Sequence, residues 1–160
     1  MMQRRQWLHA SAVLGCGALG LSAALPAAWA QGMVSGRLRS LSEMLAPWRQ
    51  GTLAPLRQAV HLQLPLLADN GHLVPLTVRV DSPMTEADHV QEIVLVSQRN
   101  PVERMATFHM GPWSGRAEVS TRVRLAGSQM VLALARMSNG RWCYDLADVI
   151  ATESACVDGS

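Results

Sequence analysis

Two hydrophobic periods divide the chain. Between Arg37 and Gln50 the apolar positions Leu38, Leu41, Met44 and Leu45 recur at helical spacing, which predicts one short helix. Ser40 followed three residues later by Glu43 is a capping-box start, and Pro47 and Gly51 close the segment. From residue 60 the period becomes two. Val60, Leu62, Leu64 and Leu66 alternate with His61, Gln63 and Pro65, which reads as a half-buried strand, with Pro65 marking an edge. After the turn residues Ala68–Gly71, the positions Leu76, Val78 and Val80 alternate with Thr77 and Arg79. The stretch "DSPMTEADHV" reads as a loop with one helical turn started by Thr85.

Ile93–Val96 is a continuous apolar run, as expected of a more deeply buried strand. Met105–Met110 is a short strand ended by Gly111-Pro112, and Val119, Thr121, Val123 and Leu125 alternate with polar residues. Met130–Met137 is strongly apolar. Asn139-Gly140 then gives a hairpin signal before a last strand over Trp142–Ile150. About seven short strands with turns between them predict an all-β, immunoglobulin-like antiparallel sandwich with a short N-terminal helix and a flexible C-terminal tail. No helical pattern interrupts the strands, so a βαβ topology is not expected.

The first thirty residues lie outside this scheme. A basic start, an apolar run of small residues and Ala28-Trp29-Ala30 make residues 1–30 an export signal. Arg4-Arg5 followed by Trp7-Leu8 is similar to a twin-arginine core, which places the mature protein in the periplasm with no membrane segment of its own. Residues 31–150 then form the sandwich domain and residues 151–160 a C-terminal arm. The chain has 14 basic residues, all arginine, and 12 acidic ones; two of the arginines fall in the leader, so the remainder carries no net charge. That balance argues against nucleic acid as a partner.

The common catalytic motifs are missing: there is no G-x-S-x-G elbow, P-loop or H-E-x-x-H. His61, His72, His89 and His109 are not spaced as metal pairs, and Glu86 and Asp88 read as loop carboxylates. Met105, His109 and Met110 would suit a soft metal such as copper, although methionines at strand spacing are usually core filler. No catalytic residue, metal ligand or cofactor site is therefore assigned. With Cys16 leaving in the leader, Cys143 and Cys156 remain. Export allows a disulfide between them, while the position of Cys143 inside a strand favours a buried free thiol. Cys156 sits beyond the last strand, and a thiol on such an arm is a handle for other enzymes. Glu153 and Asp158 would raise its pKa, so activation would have to come from a partner.

Three stretches carry a resemblance: N-G-x-x-V-P at Asn70–Pro75, D-S-P-M-T-x-A-D-H-V at Asp81–Val90, and S-G-x-A-E-V-S-T-R-x-R-L-A at Ser114–Ala126. With them, the region from about Val60 to Val149 closely resembles the SoxY family, the sulfur-carrier subunits of the periplasmic thiosulfate-oxidising Sox system. The resemblance implies a carrier rather than an enzyme, paired as a heterodimer with a second small β-protein, SoxZ. It also implies a cysteine in a C-terminal G-G-C-G-G tail that holds sulfur covalently. A haem enzyme couples thiosulfate to it, a dimetal hydrolase removes sulfate, and further Sox partners oxidise the remaining sulfur. By position Cys156 is the corresponding thiol, yet its surroundings here are Ser154-Ala155-Cys156-Val157-Asp158. The four flanking glycines that would keep the arm slim are replaced, Val157 is β-branched, and Asp158 disfavours an anionic adduct. Two other readings stay beside the carrier: a SoxY-like paralogue that keeps scaffold and partner but not sulfur carriage, and a periplasmic copper-binding sandwich.

Overall fold

The computed structural model describes residues 37–50 and 53–152. Ser40 caps the first helix as expected. Its hydroxyl accepts from the Glu43 N–H, and the Glu43 carboxylate accepts from the Ser40 N–H. That backbone hydrogen bond is the main reason the Glu43 carboxyl lies below its ordinary pKa. The helix α1 is short, Leu41–Leu45, and Ala46–Trp48 continue it as a 3₁₀ turn entered through Pro47. Met44, Leu45 and Trp48 are buried, whereas Leu38 precedes the helix and is exposed, so the predicted apolar face loses its first member.

Among the described residues eight strands follow: β1 Val60–Gln63, β2 Leu67–Ala68, β3 Val74–Val80, β4 Val90–Ser97, β5 Arg104–His109, β6 Glu118–Val123, β7 Gln129–Met137 and β8 Trp142–Ala151. They form two sheets, a three-stranded one in the order β1-β3-β6 and a five-stranded one in the order β2-β8-β7-β4-β5. The expected sandwich is therefore present, and β1 is an edge strand as Pro65 implied. Strand β1 stops at Gln63, and Leu66 is exposed rather than inward, because Pro65 cannot donate to a ladder. The chain next makes the short strand β2, which runs parallel to β8; the other pairings between these strands are antiparallel.

The core lies between the sheets. Val60, Leu62, Leu76, Val78 and Val80 face Ile93, Leu95, Val131, Ala133, Ala135 and Val149 across it. A second apolar layer covers the other side of the five-stranded sheet. There Val94, Val96, Leu132 and Leu134 are buried under Met44, Leu45 and Trp48. This second layer explains why the sequence of β4 and β7 is apolar without alternation: both faces are covered. Trp48 anchors it, its ring meeting Trp142 edge-on at 6.2 Å while the Arg104 guanidinium lies 5.8 Å from its centroid.

The loop Asp81–His89 contains no helical turn, contrary to expectation. Thr85 instead closes a local turn, its hydroxyl accepting from the Asp88 N–H at 3.1 Å and its own N–H donating to the Asp88 carbonyl at 2.9 Å. Met84 plugs the core from this loop at a φ of 52°, and its sulfur faces the Val90 N–H. In the β7–β8 hairpin Gly140 takes a φ of 81°, as the Asn139-Gly140 turn requires.

Candidate functional site: the root of the C-terminal arm

The arm is carried by β8, the strand that pairs with β7 from Trp142 to Val149 without a break. Its far end is held from both sides. On one side the Ser128 hydroxyl accepts from the Ala151 N–H at 3.0 Å and reaches the Ala151 carbonyl at 3.3 Å. On the other, the Leu66 carbonyl just before β2 accepts from the Ile150 N–H at 2.8 Å and the Ala68 carbonyl of β2 accepts from the Thr152 N–H at 3.1 Å. The Thr152 hydroxyl also donates to the Asp69 carbonyl. The chain is thus tied down as far as Thr152, one residue past the end of the strand. Sequence reasoning missed Ser128, Thr152 and β2. Leu66 reads as the last member of the β1 alternation, and a two-residue strand leaves no periodic signal.

Cys156 lies outside the described residues, as do its neighbours Glu153 and Asp158 and residues 1–36, which include the expected export signal. Cys143 is inside them. It is a buried free thiol near the start of β8, opposite Ala135 and beside Leu56. Burial pushes its pKa up, partly offset by a hydrogen bond from Gln58 and the charge of Arg141. Folded stability therefore falls as pH rises from the ordinary thiol value of 9.0 through the raised one, because only the unfolded thiol ionises there. The alternative of a disulfide to Cys156 can be judged by length. Nine residues of strand separate Cys143 from Thr152, a span of ~30 Å at ~3.3 Å per residue. Cys156 is four residues past Thr152, within ~14 Å of it at full stretch, and a disulfide adds at most ~7 Å between α-carbons. The two sulfurs cannot meet while β8 is intact. In the native protein, alkylation at pH 8 followed by peptide mapping should leave Cys143 unmodified and label it only after unfolding.

The other candidates separate in space. Met105 and Met110 pack against the core and His109 is exposed on the edge strand β5, so two of the three soft donors are committed to packing. His61 is bound to Asp81 at 2.6 Å, and this contact, with Arg79 at 3.3 Å, lowers the Asp81 pKa. His89 contacts the Thr85 carbonyl at 3.0 Å, and Arg122 and Arg124 are exposed. Glu86 and Asp88 are exposed loop residues. Among the described residues no three His, Cys, Asp or Glu side chains converge as a metal set, and no helix is long and apolar enough to cross a membrane.

The family described as sulfur oxidation protein SoxY has a model that matches residues 49–156, two thirds of the chain and the whole sandwich up to and including Cys156. The chain belongs to the SoxY family. Among solved structures it is similar to the sulfur carrier protein SoxY from Chlorobium limicola f thiosulfatophilum. The two share 25% identity over 69% of this chain and 94% of that one, with a TM-score of 0.53. A superoxide reductase (neelaredoxin) from Ignicoccus hospitalis superposes with a TM-score of 0.52 at 13% identity, covering 59% of this chain and 80% of that one. At that identity the likeness is one of fold, and the SoxY sandwich and the reductase sandwich share a framework only. Among curated proteins none matches the sequence.

Proposed function

We propose that this SoxY-family chain is a sulfur carrier that holds its cargo on Cys156 and presents it to separate enzymes. The observation that carries the reading is the family match running through Cys156. The framework behind that residue supports it: β8 is fixed as far as Thr152, and the second cysteine is buried at the opposite end of the strand. In the loading step the Cys156 thiolate and the sulfane sulfur of thiosulfate form an S–S bond. The product is a cysteine S-thiosulfonate, and two electrons pass to the haem enzyme that catalyses the coupling. Hydrolysis then breaks the bond to the sulfonate group. Water supplies the oxygen, sulfate leaves with two protons released, and a persulfide anion remains on the carrier. The carrier contributes position and an accessible sulfur; its partners supply the oxidant and the hydrolytic centre.

The same reading includes export by the leader, residence in the periplasm and pairing with a SoxZ-like β-protein. The altered arm favours one rival, a paralogue that keeps the scaffold and the pairing but carries no sulfur. Val157 and Asp158 make the arm bulkier and more negative than the glycine-flanked family form.

Intact-mass spectrometry after incubation with thiosulfate and the haem coupling enzyme distinguishes them. The expected result is a single adduct on the peptide containing Cys156, absent from Cys156→Ser. An unmodified Cys156 in a protein that still binds the SoxZ-like partner would establish the paralogue instead.

A further inference from the structure

The apolar layer that α1 and Trp48 lay over the five-stranded sheet stops before the β8–β2 edge. Beyond it Leu67 and Ile150 stand side by side on the uncovered face, in register across the parallel pair, and are 58% and 51% exposed. A sheet edge that shows adjacent aliphatic side chains is normally guarded by charge, because it invites contact. Asp148, two residues before Ile150 and on the same face of β8, is exposed, as is Asp69 just past β2. Residues 64–70, 126–131 and 146–152, which make the β2 side of this end of the sheet, include those two carboxylates and no arginine; the exposed Arg99 stands in the neighbouring turn 98–100.

The position of this patch matters because of the arm. Ile150 is two residues from Thr152, where the chain is tied down, and Cys156 can stand no more than ~14 Å from that point. A protein that takes the thiol into an active site must lay its surface against this end of the sandwich. A standard interface covers about 800 Å² on each partner, a disc of about 16 Å radius. Centred on the arm, such a disc includes Leu67 and Ile150. We infer that the Leu67–Ile150 patch is the seat for the enzymes that act on Cys156, and that their facing surfaces have an apolar centre ringed by lysine or arginine. The inference rests on the carrier reading. It adds the recognition that a short arm cannot supply by itself, with apolar contact giving affinity and the carboxylates giving the approach rate.

The test measures adduct formation on Cys156 with the haem coupling enzyme as probe, varying carrier concentration, for wild type, Leu67→Glu/Ile150→Glu and Asp148→Lys. The double variant should lose about tenfold or more in kcat/KM through a raised KM, while Cys156 reacts with a small disulfide reagent at the wild-type rate. Asp148→Lys changes an exposed charge without disturbing packing. It should slow loading several-fold at low salt, and the difference should close as salt is raised. Wild-type kinetics for both variants would overturn the inference and leave the carrier reading standing. A wild-type protein that never acquires the adduct would overturn both.

Discussion

Trp48→Ala should lower folding stability by about 3 kcal/mol, among the largest effects of any single substitution in the molecule. The residue is 9% exposed and closes the apolar layer over Val94, Val96, Leu132 and Leu134. Truncating it removes the edge-on contact with Trp142 and the seat of the Arg104 guanidinium. It also opens a gap that backbone relaxation fills poorly, because the helix it anchors is only a turn and a half long. Urea unfolding followed by far-UV circular dichroism should show a lower midpoint with little change in slope. Trp113→Ala is the control: that ring is 84% exposed, so its loss should stay within about 0.5 kcal/mol. If the two variants were equally stable, α1 and Trp48 would not cover the sheet as described.

Gln129→Leu should cost about 2 kcal/mol, although it keeps the volume and adds apolar surface. Among the described residues Gln129 and Ser97 are the buried polar side chains. The amide oxygen of Gln129 accepts from the Ser97 hydroxyl and from the Arg99 N–H at 2.9 Å. Its nitrogen donates to Asn100 Oδ1 at 3.1 Å and to the Gly127 carbonyl at 3.3 Å. Asn100 in turn holds the Ala126 N–H and the Arg124 carbonyl. One amide therefore fixes the two turns, 98–100 and 126–128, that bracket the start of β7. Leucine would leave the Gly127 carbonyl without this donor and weaken the link between the turns. Ser97→Ala should cost a similar amount. Because the two side chains bond directly, the double variant should fall short of the sum by at least about 0.5 kcal/mol. Strict additivity would show that the network is not a unit.

Much of this architecture could be read from the residues. Period-two alternation located β1, β3 and β6, the Ser40–Glu43 spacing gave the cap, and Asn139-Gly140 gave the last hairpin. Each of these signals is local, so each survives without knowledge of the fold. What the sequence concealed was non-local. Strand β2 pairs with β8 across some eighty positions and is too short to show a period. The apolar runs of β4 and β7 announced burial on both faces but not that Trp48 supplies the second cover. Thr85 had the composition of a helix start, yet its hydroxyl bonds within a closed turn. For the site the limits were sharper. Cys156 was singled out by its place beyond the last strand and by family resemblance, not by any spacing that chemistry demands. Whether Cys143 reached it depended on the length of β8.

The distance between the two thiols has a further consequence for chemistry. Many proteins that take sulfur or oxygen onto a cysteine have a second, resolving cysteine at hand, which expels the newcomer by closing an internal disulfide. Here the second cysteine is shut in the interior at the far end of a rigid strand. A sulfur loaded at the tip would have no intramolecular route of discharge, and its lifetime would be set by whichever outside molecule is admitted to it.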